Sequence, residues 1–221
     1  GVGNALGMAV AECILRNHFG KDVMNHYTYC LHGDGDIQEP VSQGAIAMAG
    51  HWGVSKLINY YDSNNAQISG KVSRSDSTDY VKMYQSHGWH VQEIDGHDRE
   101  AIANAIRKAQ MEIDKPSVII GHTTMAQGCA TMEDDHNTHG APLPPEEIAA
   151  TKEKLDLDPV GYFVLPDDVL KDFRSGFDHA RNEVAAWNLT LEQRKMDHEF
   201  KKNWNLAFSG TLPNIDLPSY D

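Results

Sequence analysis

With 221 residues, 40 % of them hydrophobic and 23 % charged, the chain is long enough to bury a sizeable core and has a globular composition. Its 19 basic residues against 32 acidic ones leave a formal charge of −13, which excludes a broadly basic surface for nucleic acid or anionic membrane. An anionic ligand would need a local cation, a histidine or a helix N-terminus to hold it.

Cys13, Cys30 and Cys129 are too few and too widely spaced for a zinc framework or a disulfide ladder, and fit reduced thiols. No run of 18 apolar residues and no charged-then-apolar leader is present. A cytoplasmic location with no membrane partner is the expectation. The chain opens without Met, directly in a helical pattern, so a missing upstream segment is expected too.

Leu6, Val10, Cys13 and Ile14 have the spacing of one buried helix face, with Gly20 as its stop. The opening Gly1-Val2-Gly3 has no strand before it, which argues against a dinucleotide-binding glycine loop. Tyr27 to His32 predicts a strand ending at Gly33-Asp34-Gly35. Val41, Ala45, Met48, Ala49 and Trp52 predict a helix closed by Gly53, and Leu57 to Tyr61 a second strand ending at Asn64-Asn65. A helix over 76–86, a strand from Trp89 to Ile94, a helix capped by Asp98 and a strand from Ser117 to Gly121 continue the alternation. The pattern predicts an α/β fold, a parallel sheet with helices on both faces.

From His122 to Pro145 the periodicity stops, and an irregular segment of that length inside a domain is more often functional than idle. Pro145 starts another helix. Leu170, Phe173, Phe177, Ala180, Val184, Trp187 and Leu191 form a long helical stripe expected to pack on the domain's flank. Residues 1–160 are expected to form the main domain, 161–208 its helical flank and 209–221 a linker.

Gly33-Asp34-Gly35 alone is a common turn. Asn64, thirty residues on and also just past a strand, changes its weight: in a right-handed βαβ unit both loops emerge on the sheet edge where open α/β sheets bind ligands. One carboxylate and one neutral amide suit Mg²⁺ that takes its remaining ligands from phosphates. His136 and His139 lack a partner at zinc spacing, and His97 in Asp95-Gly96-His97-Asp98 reads as a turn residue.

These features together resemble transketolase. The resemblance is carried by GVGNALGMAVAE at 1–12, HGDGDIQEP at 32–40, KLINYYDSNNAQISG at 56–70, GWHVQEIDGHD at 88–98, DKPSVIIGHTT at 114–124 and THGAPLPPEEI at 138–148, in order to about residue 205. It implies a thiamine diphosphate-binding fold, lacking its first part, and the cofactors thiamine diphosphate and Mg²⁺ (or Ca²⁺ or Mn²⁺). Asp34, Asn64 and the Ala66 carbonyl would ligate the cation. The Gly35 N–H would meet the diphosphate, and Asn64 would touch both. His139 would contact the diphosphate and the donor sugar. Glu39 would lie at a subunit interface. The implied reaction is reversible transfer of a two-carbon ketol unit from a ketose phosphate to an aldose phosphate, in the pentose phosphate pathway. The implied partner is the pyrimidine-binding domain of a second subunit, in a homodimer or a split heteromer.

The sequence departs from the family at Gly44, where a second interface Glu is common, and at His32, where an aliphatic residue is usual. Histidines upstream of Gly1 and the Glu that activates the cofactor's aminopyrimidine lie outside the chain, so no turnover is expected from it alone. The alternatives are another thiamine diphosphate enzyme such as deoxyxylulose-phosphate synthase, phosphoketolase or dihydroxyacetone synthase, a non-catalytic half-subunit, and a plain Mg²⁺-phosphate module.

Overall fold

The structure, a computed structural model, describes residues 1–68 and 70–210. The chain divides into two compact units, Gly1–Cys13 with His26–Val164, and Ile14–Asn25 with the residues from Leu165 onward. The linker expected over 209–221 lies, from 211 on, outside the described residues.

The first unit is built on four strands, β1 (Thr28–Gly33), β2 (Leu57–Ser63), β5 (His90–Asp95) and β6 (Ser117–His122), all parallel in the order β1-β2-β6-β5. Two short strands, β3 (Ala66–Gln67) and β4 (Gly70–Lys71), form a separate antiparallel pair beyond β2. The predicted strands are all present, within one or two residues. Their register brings the C-terminal ends together, because Gly33 pairs with Asp62, and Ser63 with His122.

The alternation of side chains along β2 explains the layers. Leu57 and Tyr61 join Val2, Leu6 and Ala9 of α1 (Val2–Phe19), Ala45, Ile46 and Ala49 of α3 (Pro40–Trp52), and Tyr84 of α4 (Tyr80–Ser86) in one cluster. Ile58 joins Ile119, Ala105 and Ala109, the last two from α5 (Arg99–Met111), in another, with Tyr60 packed against it. A strand buried on both faces reads as a near-continuous apolar run, as β2 does. Each fully buried side chain of this size contributes about 1.5–3 kcal/mol. Trp89 satisfies its indole N–H on the Ile46 carbonyl at 2.9 Å.

Two predicted helix faces are rotated from expectation. In α1 Ile14 is exposed, and the buried stripe is Val2, Ala5, Leu6 and Ala9, continued by a fully buried Glu12 that meets Lys56 at 3.7 Å. A carboxylate does not score as apolar, so the periodicity passed over it. In α3 Val41 and Trp52 are exposed and Ile46 lies inside. The stops match expectation: Gly20 and Gly53 both have positive φ, and Gly53 closes α3 in a left-handed cap. Asp98 caps α5 through Oδ1, which accepts the N–H groups of Glu100 and Ala101. The short α4 is capped by Asp79, and α6 (Pro145–Lys154) begins at its proline.

The second unit holds the end of α1, α7 (Asp167–Arg194) and α8 (His198–Phe208). Phe19, Val23, Leu191 and Trp204 form its core, Trp187 donates to the Val23 carbonyl at 2.9 Å, and Arg194 donates to that of Phe19 at 3.1 Å. The long stripe of α7 is therefore buried only near its C-terminal end. Phe173 is 78 % exposed, and Phe177 and Val184 are exposed too.

Candidate functional site

At the C-terminal ends of β1 and β2 a cavity of about 870 Å³ opens. Asp34, Gly35, Glu39, Asn64, Ala66 and His139 all line it, so the fold brings together every residue singled out from the sequence. The chain passes from β1 straight into a short helix, α2 (Asp34–Gln38), in which the Asp36 carboxylate accepts the Gly33 N–H at 2.9 Å. A Cβ built at Gly35 meets nothing within 4 Å, so a larger residue there would project into open space.

Asp34 is the buried charge of this edge, 4 % exposed. The Tyr61 hydroxyl donates to its Oδ1 at 2.6 Å and the Asn64 backbone N–H to its Oδ2 at 3.0 Å. Each carboxylate oxygen keeps acceptor capacity after one such bond. The Asn64 side chain is fixed as firmly: its Nδ2 donates to Asp62 Oδ2 at 3.0 Å, and its Oδ1 accepts the Ala66 N–H at 2.9 Å. Between them Asn65 takes a left-handed φ of 56°, a conformation Asn tolerates better than most residues, and this turns the chain back into β3. Asp62 is held in turn by the Thr123 hydroxyl.

Behind Asp34 lies an aromatic column. The His32 ring stacks on Tyr61 with centroids 5.3 Å apart and planes 10° from parallel, and Tyr80 meets Tyr61 edge-on at 5.6 Å. His32 Nε2 lies 3.2 Å from the Tyr84 hydroxyl. Burial pushes the His32 imidazole down to about 4, so it is neutral at physiological pH. The same burial, with the hydrogen bond to Asp34, pushes the Tyr61 phenol well above its ordinary range, so it stays a donor.

The far wall comes from the irregular segment predicted to be functional. Met125 and an exposed His139 reach the cavity from it. Asp135 caps a short turn, His136–Thr138, and the His139 N–H closes it on the His136 carbonyl at 3.1 Å. Further back, the Glu147 carboxylate of α6 accepts the Thr131 N–H and hydroxyl and the Met132 N–H, at 2.8, 2.7 and 3.1 Å. Lys71 of β4 pairs with Asp134 at 2.9 Å. His122 lies outside this cavity, 3.1 Å from Glu93, and His97 accepts the Thr124 N–H as part of its turn.

The cavity is more acidic than the sequence suggested, since Asp36 and Asp62 line it as well as Asp34 and Glu39, with no Lys or Arg among the described residues. Asp62 carried a signal, its place two residues before Asn64 at a strand end. Tyr61 carried none, because its hydroxyl becomes meaningful only once β1 and β2 are paired. Among the described residues no three His, Cys, Asp or Glu side chains are placed to hold a metal by themselves. One buried carboxylate beside an amide and a carbonyl oxygen is a donor set that suits a hard cation taking its remaining ligands from phosphate. A diphosphate without such a cation would face four carboxylates.

Over residues 1–213 the sequence matches the profile of the family described as transketolase, thiamine diphosphate binding domain. A transketolase of Sinorhizobium medicae is 35 % identical over 215 residues, covering 97 % of this chain and 31 % of its own length. The solved transketolase of Campylobacter jejuni aligns with a TM-score of 0.87 at 36 % identity, over 91 % of this chain and 32 % of that one. A Pichia stipitis transketolase in complex with sedoheptulose-7-phosphate aligns with a TM-score of 0.91 at 30 % identity, over 97 % of this chain and 32 % of that one. The chain spans about a third of the length of these proteins.

Proposed function

The chain belongs to the transketolase family as its thiamine diphosphate binding domain, and from that premise we propose that it anchors the cofactor's diphosphate through a divalent cation, Mg²⁺ or in its place Ca²⁺ or Mn²⁺. Asp34, the Asn64 amide oxygen and the Ala66 carbonyl hold the cation, with phosphate oxygens completing its shell. The Gly35 N–H donates to the diphosphate. His139, on the opposite wall, orients the hydroxyls of the donor sugar. When bound, the cofactor's thiazolium supplies the carbon nucleophile for ketol transfer; the protein supplies position and charge.

The observation that carries this reading is the convergence of Asp34, Gly35, Asn64, Ala66 and His139 on one acidic cavity at the strand ends. The substrates are ketose and aldose phosphates, in keeping with the sugar phosphate bound to the Pichia stipitis relative, and the reaction is that of the pentose phosphate pathway in the cytoplasm. Residues 1–160 serve as the diphosphate-binding domain, 161–208 as its helical flank and 209–221 as a linker. The active site is completed by the pyrimidine-binding domain of a second subunit, in a homodimer or a split heteromer, with Glu39 on that interface.

The test is calorimetric titration of the enzyme carrying this chain with thiamine diphosphate and with inorganic diphosphate, each with and without Mg²⁺. Mg²⁺-dependent binding that favours thiamine diphosphate is expected. Equal affinity for the two ligands would reduce the site to a plain phosphate module, and binding indifferent to Mg²⁺ would overturn the cation assignment.

A further inference from the structure

We propose that Tyr61 is the positioning residue of the cation site, and that His32 acts through it. This rests on the reading of Asp34 as the cation's carboxylate ligand.

A carboxylate on a short side chain can rotate, and its usefulness to a cation depends on which lone pairs face the ion. Outer hydrogen bonds that fix ligand orientation commonly change metal affinity by about 10–100-fold. Tyr61 makes such a bond, at 2.6 Å and in a buried setting, to one oxygen, while the backbone of Asn64 takes the other. Both donors come from β2 or its end and clamp a carboxylate that follows β1, so the clamp ties the ends of the two strands together. Asn64 is itself a proposed ligand, so the Tyr61 hydroxyl is the added element.

A phenol can direct a bond only if its ring is held. Tyr61 is 2 % exposed and packs against His32, stacked at 5.3 Å, and Tyr80, edge-on at 5.6 Å. His32 is fixed in turn by its contact with the Tyr84 hydroxyl. An aliphatic side chain at residue 32 would fill volume, but it would offer neither the flat face nor a ring nitrogen to pair with the Tyr84 hydroxyl. The His32 and Tyr61 rings thus form a backstop that fixes the aim of Asp34 from within the core.

Mn²⁺ is the probe, titrated with thiamine diphosphate into the enzyme carrying this chain and followed by electron paramagnetic resonance. Tyr61→Phe keeps the ring and removes only the hydroxyl. It is expected to weaken Mn²⁺ binding about tenfold or more and to alter the spectrum of the bound ion, while the metal-free enzyme stays folded with a thermal midpoint lowered only by the loss of one buried hydrogen bond. His32→Leu is expected to weaken binding less, His32→Phe to restore part of the loss, and His32→Leu added to Tyr61→Phe to cost nothing further. Parent-like affinity and spectrum in Tyr61→Phe, where Asp34→Ala has lost the ion, overturn the proposal and leave the cation assignment standing. Full additivity of the two variants overturns the part given to His32. If Asp34→Ala binds Mn²⁺ as the parent does, the underlying site reading falls instead.

Discussion

The two walls of the cavity are built by opposite means. On the wall at the ends of β1 and β2, Asp34 and Asn64 have their polar groups paired inside the fold, and the ring behind them is packed against His32 and Tyr80. On the other, His139 is exposed at the end of a long irregular segment, anchored at a distance by Glu147, Asp135 and the Lys71–Asp134 pair. A cation needs ligand oxygens fixed to a few tenths of an ångström, which buried strand ends supply. A sugar of variable length is better met by a side chain that can adjust, and loops carry such groups.

The sharpest way to break this contrast is Asp34→Ala. It removes the buried carboxylate and leaves the Tyr61 hydroxyl and the Asn64 N–H without their acceptor, at about 1–3 kcal/mol of stability. Cation-dependent cofactor binding should fall by more than about a hundredfold, measured by calorimetry; parent-like affinity would remove Asp34 from the site. His139→Ala should act on the other wall alone. Steady-state kinetics should lose about tenfold in kcat/KM for the donor, roughly 1.4 kcal/mol, with Mg²⁺ affinity unchanged. An equal loss of metal affinity would mean that the two walls are not independent.

The smallest effect concerns the anchor. The hydrogen bonds from the Thr131 backbone and hydroxyl, and from Met132, hold the Glu147 carboxyl below its ordinary value of 4.5. Because the folded value is the lower one, this contribution is complete above the ordinary value and is lost as the pH falls through the folded one. Hydrogen exchange followed between about pH 3 and pH 7 should show the Thr131 and Met132 amides losing protection on the acid side. Glu147→Gln should flatten that dependence while leaving the Asp34 side unchanged. Protection that ignores pH in the parent would contradict the role given to Glu147.

The same contrast explains what could be read from the chain. The strand-end wall was legible because period-two and helical spacings fix where β1, α3 and β2 begin and end, and strand ends are where loops converge. The segment bearing His139 has no period, and its role entered through family resemblance; only its length marked it as functional. Glu12 and His32 were opaque for a common reason, since polar residues count as surface in any pattern and these are buried by neighbours remote in sequence. The exposed stripe of α7 is the converse, as apolar spacing foretells a face but not what covers it.

The two-sided burial of β2 has an evolutionary corollary. Inserting one codon between Leu57 and Tyr60 would exchange the side chains of its two faces beyond that point, sending the tyrosine that meets Asp34 toward α5 and Tyr60 into its place; a deletion there would put Asp62 in that place instead. Substitutions along β2 can therefore accumulate singly, but a change of length cannot. Lineages descended from this chain should vary in residue identity within the strand and keep their indels to the turns beyond it.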